Sequence, residues 1–350
     1  MQIIEQIKAL FLKLSKDDQK KTLDELQLKE VVIPDYEKTE CPFCKSEKII
    51  KYGKSKGHRR YMCKSCNRTF SALTGTFMHN IKKKEKMLKY GEILKEEGLI
   101  SIEKIAEKVG VSTPTAFQWR HKILLTIPKK KEKFEGETQM DELWFLYSQK
   151  GRKGLKYSRK RGGSKRQGDN DFQVKLLTAT DKKQIVMKVS RIGRISKQDI
   201  IQAVGDKFKT SEKLVTDGHN SYKSFAKEAK IEHISFIAKN HKAETGENVQ
   251  YVNNLAGRLK TIINYVLRGV STKYLQLYSN FFSYVEKNEF DILDTNMYKN
   301  TNIWDSFTNI EKMYENYIQK KSVRTYRCPT KKTWKSQNWN SDVIKEYSYI

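Results

Sequence analysis

The sequence predicts an α+β protein of several domains, in which two small modules precede a mixed five-stranded sheet flanked by helices. Three observations predict it. Two CxxC pairs, Cys41/Cys44 and Cys63/Cys66, bracket a pair of short strand-like runs. Two capped amphipathic helices meet at Gly110-Val111-Ser112. Beyond residue 134, three strand-like runs come first and then alternate with helices, the order of a mixed sheet.

Composition narrows the function classes. The chain has 350 residues, with 69 Lys and Arg against 41 Asp and Glu, a net charge of +28. Such an excess favours a polyanionic partner, of which nucleic acid is the commonest. No membrane partner is expected, because no apolar run approaches the roughly 18 residues of a spanning helix. The start Met1-Gln2-Ile3-Ile4-Glu5 lacks the basic region and apolar block of a signal peptide. Four of the five cysteines cluster and Cys328 stands apart, which favours a reducing compartment and a metal site over a disulfide framework.

Residues 1–33 form the first segment. Ile4, Ile7, Leu10, Phe11 and Leu14 recur at helical spacing, Ser15 and Asp18 have the form of a capping box, and Leu23, Leu26 and Leu28 follow. A small helical hairpin is expected, either a packing appendage or a piece for oligomerisation or DNA contact.

Residues 34–78 follow the break at Pro34. Each CxxC knuckle sets two sulfurs about 3.5–4 Å apart, the edge of a tetrahedron with Zn–S bonds near 2.3 Å. Residues 49–53 and 59–62 read as strands joined at Gly57, so the segment predicts a zinc ribbon with Cys41, Cys44, Cys63 and Cys66 as ligands. Lys51, Lys54, Lys56, Arg59, Arg60, Lys64 and Arg68 make it basic. Arg59 and Arg60 are its candidate phosphate contacts, although a purely structural ribbon is the other reading.

Residues 79–128 predict three helices. The first carries Met87, Leu88, Ile93 and Leu94 and ends at Gly98. Ser101 caps the second, with Ile102, Ile105, Ala106 and Val109 inward. Ser112 caps the third, with Pro114 in its first turn, where a missing N–H costs little. Such a pair around a glycine turn is the helix-turn-helix arrangement. Thr113, Thr115, Gln118 and Arg120 are its candidate DNA contacts.

Pro128 and the basic run 129–133 read as a linker into a domain at 134–290. Strands are expected at 138–145, 172–179, 184–189, 213–216 and 232–237, and helices at 197–204, through Ala229, and at 252–267. Neighbouring strand side chains point to opposite faces, so Asp141 and Glu142 do not both serve one site without a bulge. Residues 150–168 form a basic, glycine-interrupted loop. Lys153, Arg159, Lys160 and Arg161 either clamp a DNA backbone or solvate a hairpin tip. The polar tail 291–350, with Trp304, Trp334 and Trp339, suggests no mechanism.

Asp217 stands at the tip of the fourth strand. Gly218 is expected to let the chain turn at once, and Asn220 or Ser221 to cap a helix with Tyr222, Phe225, Ala226 and Ala229 inward. Asp217 reads either as a helix-entry cap or as a metal ligand. If the first and fourth strands are neighbours, Asp141 and Asp217 converge and can hold Mg²⁺ or Mn²⁺, hard cations that keep positions open for phosphate oxygens. The sequence offers no P-loop and no nucleophile elbow.

The ribbon, the helix-turn-helix, Met140-Asp141-Glu142, Thr216-Asp217-Gly218-His219 with Tyr222, Asn248 to Asn254, and Arg258-Leu259-Lys260 together resemble the ISXO-type insertion-sequence transposases over about residues 38–285. The resemblance implies an RNase H-like catalytic domain that cuts and joins element ends with divalent metal. It implies that Asp141 and Asp217 are metal ligands, that Asn253 stands where relatives carry Glu or, in one subgroup, Asn, and that Lys260 is the lysine following it. Its implied partners are the terminal inverted repeats, target DNA and further copies of the chain, in the bacterial cytoplasm. Asn253 and Lys260 lie about 700° apart at about 100° per residue, so they share a helix face. Asn253 brings no charge, and Glu244 or Glu247 is a candidate to supply it. A helix N-terminal amide bonding the backbone is the alternative role of Asn253. A catalytically silent DNA-binding derivative and a zinc-ribbon transcription regulator are the rival functions.

Overall fold

The computed structural model describes residues 2–22, 37–55, 58–127, 133–153, 168–170, 172–208, 211–236 and 246–292, and positions 294, 297 and 312. At the N-terminus, α1 (Gln2–Leu12) is followed by helical residues 16–22. The turn between them forms at Ser15, whose Oγ accepts from the Asp18 N–H at 3.1 Å and donates to Asp18 Oδ2 at 2.7 Å. Leu23, Leu26 and Leu28 lie outside the described residues.

The ribbon is an antiparallel sheet of β1 (Ile49–Ser55), β2 (His58–Cys63) and β3 (Thr69–Ser71). The third strand was not expected. It places Phe70 opposite Tyr61, and the rings stack with centroids 5.6 Å apart. The buried residues Ala72, Leu73, Phe77, Met78 and Ile81 then carry the ribbon's core directly into the helical module.

That module is α2 (Lys84–Glu97), α3 (Ile102–Val109) and α4 (Thr113–Leu125). The caps act as their residue types predict. Ser101 Oγ accepts from Lys104 N–H at 3.2 Å, and Ser112 Oγ accepts from Thr115 N–H at 3.4 Å. Gly110 ends α3 in the left-handed conformation, at φ 69°. Two capped helices thus meet at the Gly110 turn, as the sequence predicts.

The large domain holds β4 (Gly136–Leu146), β5 (Gln173–Thr180), β6 (Ile185–Ile192), α5 (Lys197–Val204), β7 (Ser211–Asp217), α6 (Asn220–Ala229), β8 (Glu232–Phe236), α7 (Gln250–Thr261) and α8 (Leu275–Glu286). The sheet order is β6-β5-β4-β7-β8. The first three strands pair antiparallel, and β7 pairs parallel with both β4 and β8. A three-strand meander joined to two parallel strands, with helices on both faces, is the RNase H-like arrangement.

Strand alternation divides the core. On one face Met140, Leu177, Ala179 and Leu214 pack with Ile200 and Val204 of α5 and Tyr222, Phe225 and Ala226 of α6. On the other, Leu143, Phe145, Val174 and Leu176 pack with Leu255 and Leu259 of α7 and Phe281 and Phe282 of α8. Helix α7 is shorter than expected, because its last turn widens to a π-helix at Ile262–Val266.

Two features were not anticipated. Helix α8 and Tyr274 just before it dock the helical module on the sheet: the His121 ring of α4 lies 4.1 Å from the Tyr274 ring and 5.8 Å from the Tyr278 ring. The residues read as the start of an irregular tail are also anchored, with Ile292 and Met297 buried in the same apolar cluster. Ribbon, helical module and sheet thus share one continuous core, although the sequence reads as separate domains.

Candidate active site and metal centre

The four cysteines come together. Cys41 and Cys66 sulfurs are 3.7 Å apart, Cys44 and Cys63 sulfurs 3.6 Å, and all four lie within 4.8 Å of one another. Those spacings match the tetrahedron edge of a four-thiolate zinc site. Burial raises the Cys63 thiol, but the backbone N–H groups of Cys66 and Ser65 outweigh it and bring it down to about 6. A thiolate-stabilising nest of this kind suits a metal ligand.

The second centre lies where β4 and β7 part. Thr138 is paired with Leu214 and Gln139 with Val215. Two residues further along each strand stand Asp141 and Asp217, at one level of a parallel pair. Val215 packs with Val249 and Val252, and Gln139 Oε1 accepts from the Val252 N–H at 3.4 Å. Alternation therefore puts both aspartates on the face that α7 covers.

Each carboxylate is oriented by its own backbone turn. The Glu142 N–H donates to Asp141 Oδ1 at 2.7 Å, and the His219 N–H donates to Asp217 Oδ1 at 3.2 Å. Burial pushes the Asp141 carboxyl up to about 7, against the pull of the Glu142 N–H, and the charges of Asp217 and Glu142 add to the rise. Clustered carboxylates that repel one another in this way fit a divalent cation, whose oxygen-ligand preference the donor set meets.

The turn after Asp217 differs from expectation. Gly218 is not at positive φ, and a Cβ there would rest 3.6 Å from the Phe236 carbonyl oxygen, an ordinary contact. The cap of α6 is neither Asn220 nor Ser221. It is His219, whose Nδ1 accepts from the Ser221 N–H at 3.4 Å while Arg194 Nε stands 3.4 Å from its Nε2.

Helix α7 carries the two remaining candidates. Asn253 is exposed, and its side chain has no hydrogen-bond partner among the described residues. Lys260 is half-buried, with Nζ 4.7 Å from the centroid of the Trp144 ring. The position of Trp144, three residues after Asp141, had not been singled out. Glu247 does not join the aspartates: it pairs with Lys213 at 3.0 Å, four residues below Asp217 on β7. Glu244 lies outside the described residues.

Among the candidate DNA contacts, Thr113 and Gln118 are exposed on α4. Thr115 is half-buried, with Oγ1 2.8 Å from Ser112 Oγ. Arg120 is a correction. It is fully buried, and its Nε donates to Tyr90 Oη at 3.1 Å. The reason is helical period: Ala116, Arg120, Ile123 and Leu124 share the inward face, leaving Gln118 outward. Arg59 and Arg60 are half-buried on β2, with Arg60 donating to Thr69 Oγ1 at 3.2 Å. Lys153 is exposed at the start of the basic loop, and Arg159, Lys160 and Arg161 lie outside the described residues.

Residues 133–287 match the ISXO2-like transposase domain. An uncharacterised protein of the transposable element ISH50 from Halobacterium salinarum is 33% identical over 129 residues, which spans 36% of this chain and 43% of that protein. Among solved structures, the Mos1 transposase paired-end complex with left transposon end aligns at 11% identity and TM-score 0.29, covering 67% of this chain and 78% of that one. The Mos1 strand transfer complex aligns at 11% identity and TM-score 0.27, covering 69% and 79%. The matched segment takes in the five-stranded sheet and the helices packed on it, α5 to α8. Among the described residues no helix is long and apolar enough to cross a membrane.

Proposed function

We propose that the protein is a DNA transposase that binds the ends of its element and catalyses metal-dependent cleavage and strand transfer. The observation that carries this reading is the register of β4 and β7, which sets Asp141 and Asp217 at one level beneath α7. The two carboxylates hold Mg²⁺ or Mn²⁺, and Asn253 offers a neutral amide oxygen from the helix above. The bound metal supplies activation of the attacking water or 3′-hydroxyl and stabilisation of the leaving oxygen. Lys260, held on an aromatic face instead of a carboxylate, keeps its ammonium protons for a phosphate oxygen of the DNA. The four cysteines hold a structural zinc.

Binding belongs to the basic modules. Gln118 and Thr113 on α4 reach base edges, while Arg59, Arg60, Thr115, Lys153 and the basic loop with Arg159, Lys160 and Arg161 meet backbone phosphates. A homo-oligomer brings two ends together.

The test is cleavage of labelled DNA carrying the inverted repeats that flank the gene, titrated with Mg²⁺. Asp141→Ala and Asp217→Ala each abolish cleavage while retaining DNA binding. Asn253→Ala costs less, because a neutral ligand contributes less to holding a divalent ion. Full activity of Asp217→Ala would overturn the catalytic reading.

A further inference from the structure

Glu142 and Tyr222 stand beside the two candidate metal-binding aspartates, yet the reading above leaves both without work. Glu142 follows Asp141 on β4 and faces away from α7. Tyr222 lies on the first turn of α6, the helix entered directly from Asp217. Tyr222 is fully buried, and its hydroxyl donates to Glu142 Oε2 at 2.6 Å across a sequence separation of 80 residues. The other carboxylate oxygen, Glu142 Oε1, is 3.8 Å from Lys175 Nζ of β5. Lys175 is itself only 2% exposed and is paired with Asp169.

We infer that Glu142, Tyr222 and Lys175 form a brace that sets the separation and orientation of Asp141 and Asp217, and so act as positioning residues for the metal site. This rests on the catalytic reading proposed above. The path is short at both ends. The Glu142 side chain is fixed by Tyr222 and Lys175, and its main-chain N–H is the group that orients Asp141 Oδ1. Tyr222 is fixed by the Phe225 and Ala226 packing of α6 on the sheet, and the same helix begins at His219, whose N–H orients Asp217 Oδ1. The brace spans the point where β4 and β7 no longer pair, because their register stops at Gln139 and Val215. Without ladder hydrogen bonds at that level, the distance between the aspartates depends on side-chain contacts. A buried tyrosine bonded to a half-buried carboxylate, with a buried lysine facing its other oxygen, is a satisfied network and therefore rigid.

The experiment compares wild type, Asp217→Ala, Tyr222→Phe and Glu142→Gln. It measures the Mn²⁺ concentration for half-maximal cleavage of end DNA, end-DNA affinity without metal, and the thermal midpoint. Tyr222→Phe keeps the ring's packing and removes only the bond. It is expected to raise the half-maximal Mn²⁺ concentration about 10–100-fold, the usual effect of losing an outer partner of a metal ligand. Rate recovers at high Mn²⁺ and DNA affinity is unchanged. Glu142→Gln still accepts from Tyr222 through its amide oxygen and shifts the concentration less. A merely structural tyrosine lowers the thermal midpoint and leaves the metal dependence where it was, and that result overturns the brace. A Glu142→Gln variant as inactive as Asp217→Ala at every Mn²⁺ concentration also overturns it, making Glu142 a ligand. Failure of the catalytic reading is distinct: it shows as inactive wild type or active Asp217→Ala, whatever the brace variants do.

Discussion

Asp141 is held ionisable at a place its surroundings disfavour. Its folded pKa is about 7 against an ordinary 3.8. The metal-free fold therefore binds this proton more tightly than the unfolded chain does. The contribution to stability is full below the unfolded value and is lost as pH rises through about 4 to about 7. A divalent ion competes with the same proton, so its apparent affinity rises with pH over that window. In chelator, the thermal midpoint of wild type is expected to fall relative to Asp141→Asn as pH rises from about 4 to about 8. Added Mg²⁺ closes the gap at the upper end. Parallel profiles for the two proteins would remove the strain assigned to Asp141. Asp141 and Asp217 were singled out by residue type and strand position, and Asn253 and Lys260 by the family resemblance. The partners of Asp141 were not, because Glu142 is its neighbour in sequence but Tyr222 is not.

At the scale of elements, the return of the chain onto α2 makes a sharp case. A Cβ on Gly91 would sit 2.4 Å from Ile292 Cγ1 and 2.5 Å from its Cβ. Gly91 is therefore kept for close approach and not for backbone freedom. Gly91→Ala is expected to destabilise by about 1–3 kcal/mol through overpacking, despite the better helix propensity of alanine. Ile292→Ala costs about 2–5 kcal/mol by leaving a cavity. Combined, the two cost somewhat less than their sum, since Ile292→Ala removes the Cγ1 and Cδ1 contacts of the new methyl while its Cβ contact remains. Urea unfolding of the three variants measures this, and strict additivity would separate residue 292 from the helical module. Most elements were legible beforehand. Strands β4 to β8 fall within a few residues of expectation because period-2 runs bounded by turns are local signals. Helix α8 was missed although Leu275, Tyr278, Phe281 and Phe282 recur at helical spacing, since its aromatic run reads equally as a buried strand.

Across the whole molecule, the ribbon is not an appendage. Tyr61, Phe70 and Phe77 belong to the same apolar cluster as Leu176 of β5 and Phe281 of α8. Loss of zinc should therefore be felt far from the cysteines. Cys63→Ser is expected to lose stoichiometric zinc, measured by metal analysis, and to lower the main thermal transition of the full chain. A separate low-temperature melt with the main transition unmoved would show that ribbon and sheet are uncoupled. The net charge of +28 acts at the same scale. It favours a polyanion whatever the arrangement of domains, and it implies DNA affinity that falls steeply with salt.

What the sequence determined by itself are the features set by neighbours in the chain. They are the sulfur donors at two CxxC spacings, the serine caps of α3 and α4, the strand alternation around Asp141, and the shared helix face of Asn253 and Lys260. Each needs only local geometry of known period. The tertiary structure alone decided which faces met. It buried Arg120, spent Glu247 on Lys213, seated the helical module against α8, and bonded Tyr222 to Glu142 across 80 residues. A hydrophobic period says which side of an element turns inward. It does not say what that side will touch, because burial is non-directional and the contacting partner is chosen by the packing of the whole chain.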